Sequence, residues 1–138
     1  GYGANCVVVG INTSGSIGPN ELNAFFSEMS GILTDVRPRE LFVVWCDAAV
    51  NRVDELNDGM DLENLRKEGA PGGGSTDFRP VFDWVEEQGL RPDALIYLTD
   101  SYGTFPSQQP DYPTIWGSIV AGATYPWGDV VDVTVRGK

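Results

Sequence analysis

The chain has 138 residues, a length that suits one domain with an ordinary core. Nine Lys and Arg stand against 20 Asp and Glu, a formal net charge of −11, and the basic residues form no cluster. This excludes nucleic acid and anionic membrane surfaces as partners, since both need grouped Lys and Arg.

Residues 6–11, CVVVGI, form a short unbroken apolar run, the pattern of a strand buried on both faces. Next, Leu22, Phe25, Phe26, Met29, Ile32 and Leu33 recur at three- and four-residue spacing. The spacing predicts a helix over 19–33 with one apolar face; Pro19 suits its first turn and Glu21 its positive end. Residues 41–46, LFVVWC, repeat the buried-strand pattern, and AAVNRV after Asp47 predicts a hairpin partner on the sheet edge. NDG at 57–59 marks a turn, and 61–68 is a candidate short polar helix. APGGGSTDFRP at 70–80 reads as a loop, because three consecutive Gly leave the backbone unconstrained. Val81, Phe82, Trp84 and Val85 then place a helix over about 80–88.

Residues 94–98, ALIYL, are a third buried strand, ending in Thr99 and Asp100. Pro106, Pro110 and Pro113 exclude a helix over 101–113, and 114–120 and 130–135 read as two more strands. Cys6 and Cys46 fall inside apolar strands and read as reduced core thiols. With no signal peptide and no apolar stretch of about 18 residues, the expected compartment is cytoplasmic. The chain opens almost directly on a strand, which predicts a piece of a longer protein.

Strands that alternate with helices define an α/β class with a mostly parallel sheet. In such sheets ligands sit at the carboxyl ends of the strands. Three loops meet that condition, 12–16, 72–77 and 99–101, and they offer Ser14, Ser16, Thr76 and Asp100, with Asn12 nearby. The chain has no His, so no Ser–His–Asp triad, Cys–His pair or His-ligated zinc site can form within it. GGGST lacks the Lys of a phosphate-binding P-loop. What remains is a set of hard oxygen donors, which suits a divalent cation such as Mg2+.

These residues resemble a known family. INTSGS at 11–16 matches the D-x-S-x-S motif of von Willebrand factor A (VWA) domains in all but its first position, and Thr76 and Asp100 match the other two elements of their metal-ion-dependent adhesion site. The strings GGGSTDFRP, LIYLTD, GTFP and YPTIW are similar to a narrower group. This is the VWA-like domain found C-terminal to a metallopeptidase-type domain in bacterial and phage proteins. The resemblance implies a single Rossmann-like, three-layer domain over 1–138. Its sheet would be mostly parallel, with about six strands and a reduced helix set. It implies Mg2+, or else Mn2+ or Ca2+, on Asn12, Ser14, Ser16, Thr76 and Asp100. Two departures stand out: Asn12 replaces the motif's Asp, and the Pro-rich loop 101–113 replaces a helix. Asp47 or Asp77 could restore charge near the ion, and Tyr102, Phe105 and Trp127 are candidates for its rim.

The function implied is a binding module that presents the ion to an Asp or Glu of a protein partner. That partner would be the rest of the same polypeptide or a MoxR-type AAA+ ATPase. The alternatives are a degenerate domain with a structural role and, further off, a Mg2+-dependent hydrolase with Asp100 or Asp77 as base. The missing helix also predicts that part of the sheet near Tyr102, Phe105 and Trp127 is open to solvent as a docking surface.

Overall fold

A computed structural model describes residues 5–13, 17–56 and 76–133. The elements in chain order are β1 (Cys6–Asn12), α1 (Pro19–Val36), β2 (Glu40–Cys46), β3 (Val50–Leu56), α2 (Arg79–Glu87), β4 (Ala94–Thr99), β5 (Thr114–Ser118) and β6 (Asp129–Asp132). The strands form one sheet in the order β3-β2-β1-β4-β5-β6. All neighbours run parallel except β2 and β3, which form the expected edge hairpin. The turn at 57–59, the candidate helix at 61–68 and the Gly run at 72–74 lie outside the described residues. Among the described residues, no helix is long and apolar enough to cross a membrane.

Side chains alternate across the sheet with period two, so each apolar strand supplies both core layers. Val7, Val9 and Ile11 of β1 join Leu41, Val43 and Trp45 of β2 under α1, which contributes Leu22, Phe25, Phe26, Met29 and Leu33. Val8, Phe42, Val44 and Tyr97 face the other way, toward Val81, Phe82 and Val85 of α2. The capping box of α1 is closed by Glu21, whose carboxylate accepts the Gly18 N–H at 2.9 Å. The helix runs to Val36, three residues past the predicted end. Its stop is Pro38, which disfavours helical backbone at Arg37; that residue turns left-handed instead (φ 52°). Cys6 and Cys46 are free buried thiols, six register positions apart on neighbouring strands, about 20 Å, too far for a disulfide.

The face opposite α1 departs from expectation. The helix α2 covers only part of it, but the remainder is not left open. The β4–β5 connection lays Phe105 and Tyr112 on the sheet, and the β5–β6 connection adds Tyr125 and Trp127. Phe105 meets Phe78 at 4.7 Å and Trp116 at 5.3 Å between ring centroids, and Trp127 meets Phe82 at 5.7 Å. The fully buried Trp116 lies stacked between Tyr97 and Tyr125, at 5.6 and 5.2 Å, and its indole N–H donates to the Trp127 carbonyl at 2.8 Å. Handedness explains why these coils lie on this side. The β1–α1–β2 crossover and the β4–β5–β6 crossovers travel in opposite directions along the sheet, so right-handed connections put them on opposite faces. Phe105 and Trp127 are therefore half-buried core residues that do the work of the missing helix. Of the three expected rim residues, Tyr102 is 70% exposed, whereas Phe105 and Trp127 are half-buried. Among the described residues, exposed apolar side chains of the sheet lie at its two edges, Val130 and Val131 on β6 and Val53 on β3.

Candidate functional site

Strand β1 leads away to β2 on one side and β4 leads to β5 on the other, so the gap beyond their carboxyl ends is the switch point of the sheet. Asn12 is the last residue of β1, and Asp100 directly follows β4. Both are buried, and the Asn12 amide nitrogen donates to Asp100 Oδ1 at 3.3 Å. Thr76 arrives from the segment before α2 and donates its hydroxyl to the Asn12 amide oxygen at 3.4 Å. Three of the five expected ligands thus form one chain of contacts: Thr76 to Asn12 to Asp100. Ser14 and Ser16 lie outside the described residues.

Backbone bonds fix the frame around this trio. The Thr13 N–H donates to the Cys46 carbonyl at 3.0 Å, and the Asp77 N–H donates to the Asp47 carbonyl at 2.9 Å. The Phe78 N–H donates to the Thr104 carbonyl at 2.9 Å. Asp100 is held from its own loop: Oδ1 accepts the Tyr102 N–H at 3.0 Å, while the Ser101 N–H donates to the Thr99 hydroxyl at 3.0 Å. Between them Ser101 sits in the left-handed region, φ 76°, which is uncommon for a residue with a Cβ and locates backbone strain beside the carboxylate. Gly103 is required sterically, since a Cβ there would stand 2.8 Å from the Thr76 methyl and 2.9 Å from the Phe78 ring. The close approach presses the loop after β4 against the segment that carries Thr76.

The two other acids take structural partners. Asp47 shapes the hairpin turn, its carboxylate accepting the Ala49 N–H at 3.3 Å. Asp77 is gripped by Arg79 through both oxygens, at 2.9 and 2.8 Å. Hydrogen bonding from Arg79 holds its carboxyl below the usual carboxylate range, although burial opposes this. The Cys46 thiol points at the Asp77 and Asp47 carbonyls, and burial pushes it up to about 11, far from a reactive thiolate. Tyr125 is the neighbour that sequence reasoning missed. Its buried hydroxyl sits close to Ser118 and Thr99; burial is the main cause that raises its pKa, the Asp100 charge adds to it, and hydrogen bonding with Ser118 and Thr99 opposes the rise. The only signal was an aromatic residue in a Gly- and Pro-containing coil that has to be buried somewhere.

The donor set is oxygen throughout, with a single carboxylate. Among the described residues, no group of three or more His, Cys, Asp or Glu could hold a metal. Any ion here would rest on Asp100 and neutral oxygens, which suits a hard cation rather than zinc or copper.

Together these features define a Rossmann-ordered α/β domain with an oxygen-lined cluster at its switch point. The chain belongs to the VWA-like domain (DUF2201) family, which it matches over residues 7–134. It is also similar to an uncharacterized protein of Thermotoga maritima, 36% identical over 98 residues that make up 70% of this chain and 23% of that protein. The chain thus spans under a quarter of the length of that relative.

Proposed function

We propose that this domain is a protein-binding module in which Asn12, Ser14, Ser16, Thr76 and Asp100 hold a divalent cation for completion by a partner's carboxylate. The observation that supports this is the meeting of Thr76, Asn12 and Asp100 within hydrogen-bond reach at the switch point, from three separate segments. Mg2+ fits the oxygen donors, with Mn2+ or Ca2+ as substitutes. Such an ion supplies an electron-accepting position. Asp100 supplies the charge that holds it, and Asn12 and Thr76 supply neutral oxygens. With one carboxylate the centre keeps a net positive charge, which favours an incoming Asp or Glu and weakens the grip on the ion. The partner would be the remainder of the parent polypeptide or a MoxR-type AAA+ ATPase. Binding suits the site better than hydrolysis, because the alternative base, Asp77, is occupied by Arg79 at both oxygens.

A second reading, a structural domain that needs no metal, draws on the same Asn12–Asp100 bond, which lets the cluster close on itself. Calorimetric titration with MgCl2 and MnCl2 separates the two. Binding by the natural chain that is lost in Asp100→Ala and weakened in Thr76→Val supports the first. No heat at millimolar metal supports the second.

A further inference from the structure

Between α2 and the coil at 106–113 runs an open cleft of about 1070 Å3. That is at the upper end of small-molecule pockets, and its openness suits an elongated occupant. Phe82, Val85, Leu90 and Tyr112 give it an apolar floor. Its wall is already organised, because Pro106, Pro110 and Pro113 fix the backbone and leave little ordering cost for an incoming chain. Gln108 and Gln109 add exposed amide groups that can pair with an extended backbone.

The charge on this cleft is one-sided. Asp77 and Arg79 neutralise each other at 2.8 Å. Among the described residues, that leaves Asp83, Glu86, Asp93 and Asp111 against Arg91. Burial and the Glu86 charge push the Tyr112 phenol up to about 12, so Glu86 lies near the aromatic floor and the hydroxyl stays protonated. A second copy of a chain with net charge −11 is repelled from such a surface, and so is any nucleic acid. A positively charged chain is attracted.

We propose that this cleft binds an extended cationic segment of a partner protein. Its Arg or Lys side chains would pair with Asp83, Glu86 and Asp111, and an apolar side chain would pack on Tyr112 and Leu90. The proposal does not depend on a metal, although the cleft begins at Asp77, next to Thr76. A partner seated here would run up to the switch point.

The test is fluorescence anisotropy in EDTA with a labelled peptide of alternating Arg and Leu, and a Glu–Leu peptide as control. The Arg–Leu peptide should bind and the Glu–Leu peptide should not. Asp83→Lys with Glu86→Lys should weaken binding at least about tenfold, a loss of roughly 1.4 kcal/mol. Glu28→Lys with Asp35→Lys, exposed on α1 across the sheet, changes the net charge equally and should shift binding less than about twofold. Amide shifts of the natural chain on peptide addition should map to 82–93 and 106–113, which decides the matter even if a variant is unstable. Absence of binding, equal loss in both reversals, or shifts confined elsewhere would overturn the proposal. Asp100→Ala should bind the peptide as the natural chain does, which keeps failure of the metal site distinct from failure of the cleft.

Discussion

Replacing Asn12 by Asp supplies the acidic residue of the VWA motif that residues 11–16 resemble and tests the candidate site directly. The Asn12 amide nitrogen lies 3.3 Å from Asp100 Oδ1, so the variant sets two carboxylates at that distance in a buried position. At an effective dielectric constant near 20, two full charges so placed repel by about 5 kcal/mol. The pair has a cheaper option, which is to keep one proton. For a carboxyl with an ordinary value near 3.9, holding a proton at pH 7 costs about 4 kcal/mol, and at pH 5 about 1.5 kcal/mol. A proton shared between the two oxygens also replaces the amide hydrogen bond. The folded pair therefore has one raised pKa. Its stability is close to that of the natural chain at acid pH and is lost as pH rises toward neutrality. In EDTA at neutral pH, Asn12→Asp should melt roughly 10–15 °C below the natural chain, and the gap should narrow steadily toward pH 5. Millimolar Mg2+ should raise its Tm more than it raises that of the natural chain, because an ion between the carboxylates replaces the proton. The assay is a set of melts by circular dichroism across pH, with and without metal. Equal melting in EDTA at neutral pH would refute the contact between positions 12 and 100. A destabilised variant that Mg2+ fails to rescue would refute the ion.

Gly10→Ala should destabilise by about 1–2 kcal/mol, measured by urea unfolding. A Cβ there would stand 3.0 Å from the Tyr97 ring, which is hemmed in by Phe78, Phe82 and Trp116 and cannot step back. Phe105→Ala should cost about 2–3 kcal/mol in the same assay, less than a fully buried Phe because its ring is half-covered; a residue kept for docking would leave stability unchanged. Arg79 holds the Asp77 carboxyl below its ordinary value of 3.8, so the pair's contribution is present above that value and fades as pH falls through and below it. Asp77→Asn should accordingly lose slightly less stability than the natural chain between pH 5 and pH 3, the difference being small for so exposed a pair.

The strands and both described helices were legible because burial imposes a period on local sequence. CVVVGI and LFVVWC are apolar at every position because α1 and α2 cover both faces, and the helices show the spacing of a single buried stripe. The edge hairpin was legible from the short AAVNRV run directly after a buried strand, and β3 is indeed exposed at alternate positions. That Asn12, Thr76 and Asp100 come together was legible because each follows or faces the end of a buried strand, a place that is itself periodic information. The covering role of Phe105, Tyr125 and Trp127 was not legible. Residues in coil carry no period, and what buries them is Trp116 and Phe78, tens of residues away in some cases. The end of α1 was read from its apolar stripe, when a proline two residues past Val36 was the actual stop. The strained Ser101 gives no local signal either, since Gly or Asn would have been the expected residue at a left-handed position.

The Tyr97–Trp116–Tyr125 stack gives the domain an optical signature of its own. Tyr97 and Tyr125 flank one buried indole at 5.6 and 5.2 Å, with interplanar angles of 24° and 12°. Rings held in so fixed a chiral array produce strong near-ultraviolet circular dichroism, a signal that vanishes when specific packing loosens even if helices and strands persist. The three rings come from β4, β5 and the coil before β6, so the signal reports the half of the sheet that no helix in the β4–β6 connections supports. Far-ultraviolet signal is weighted instead toward α1, which sits over the other half. Two wavelengths therefore monitor two sides of the same sheet, and any loosening that begins in the helix-poor side becomes visible as a loss of one before the other.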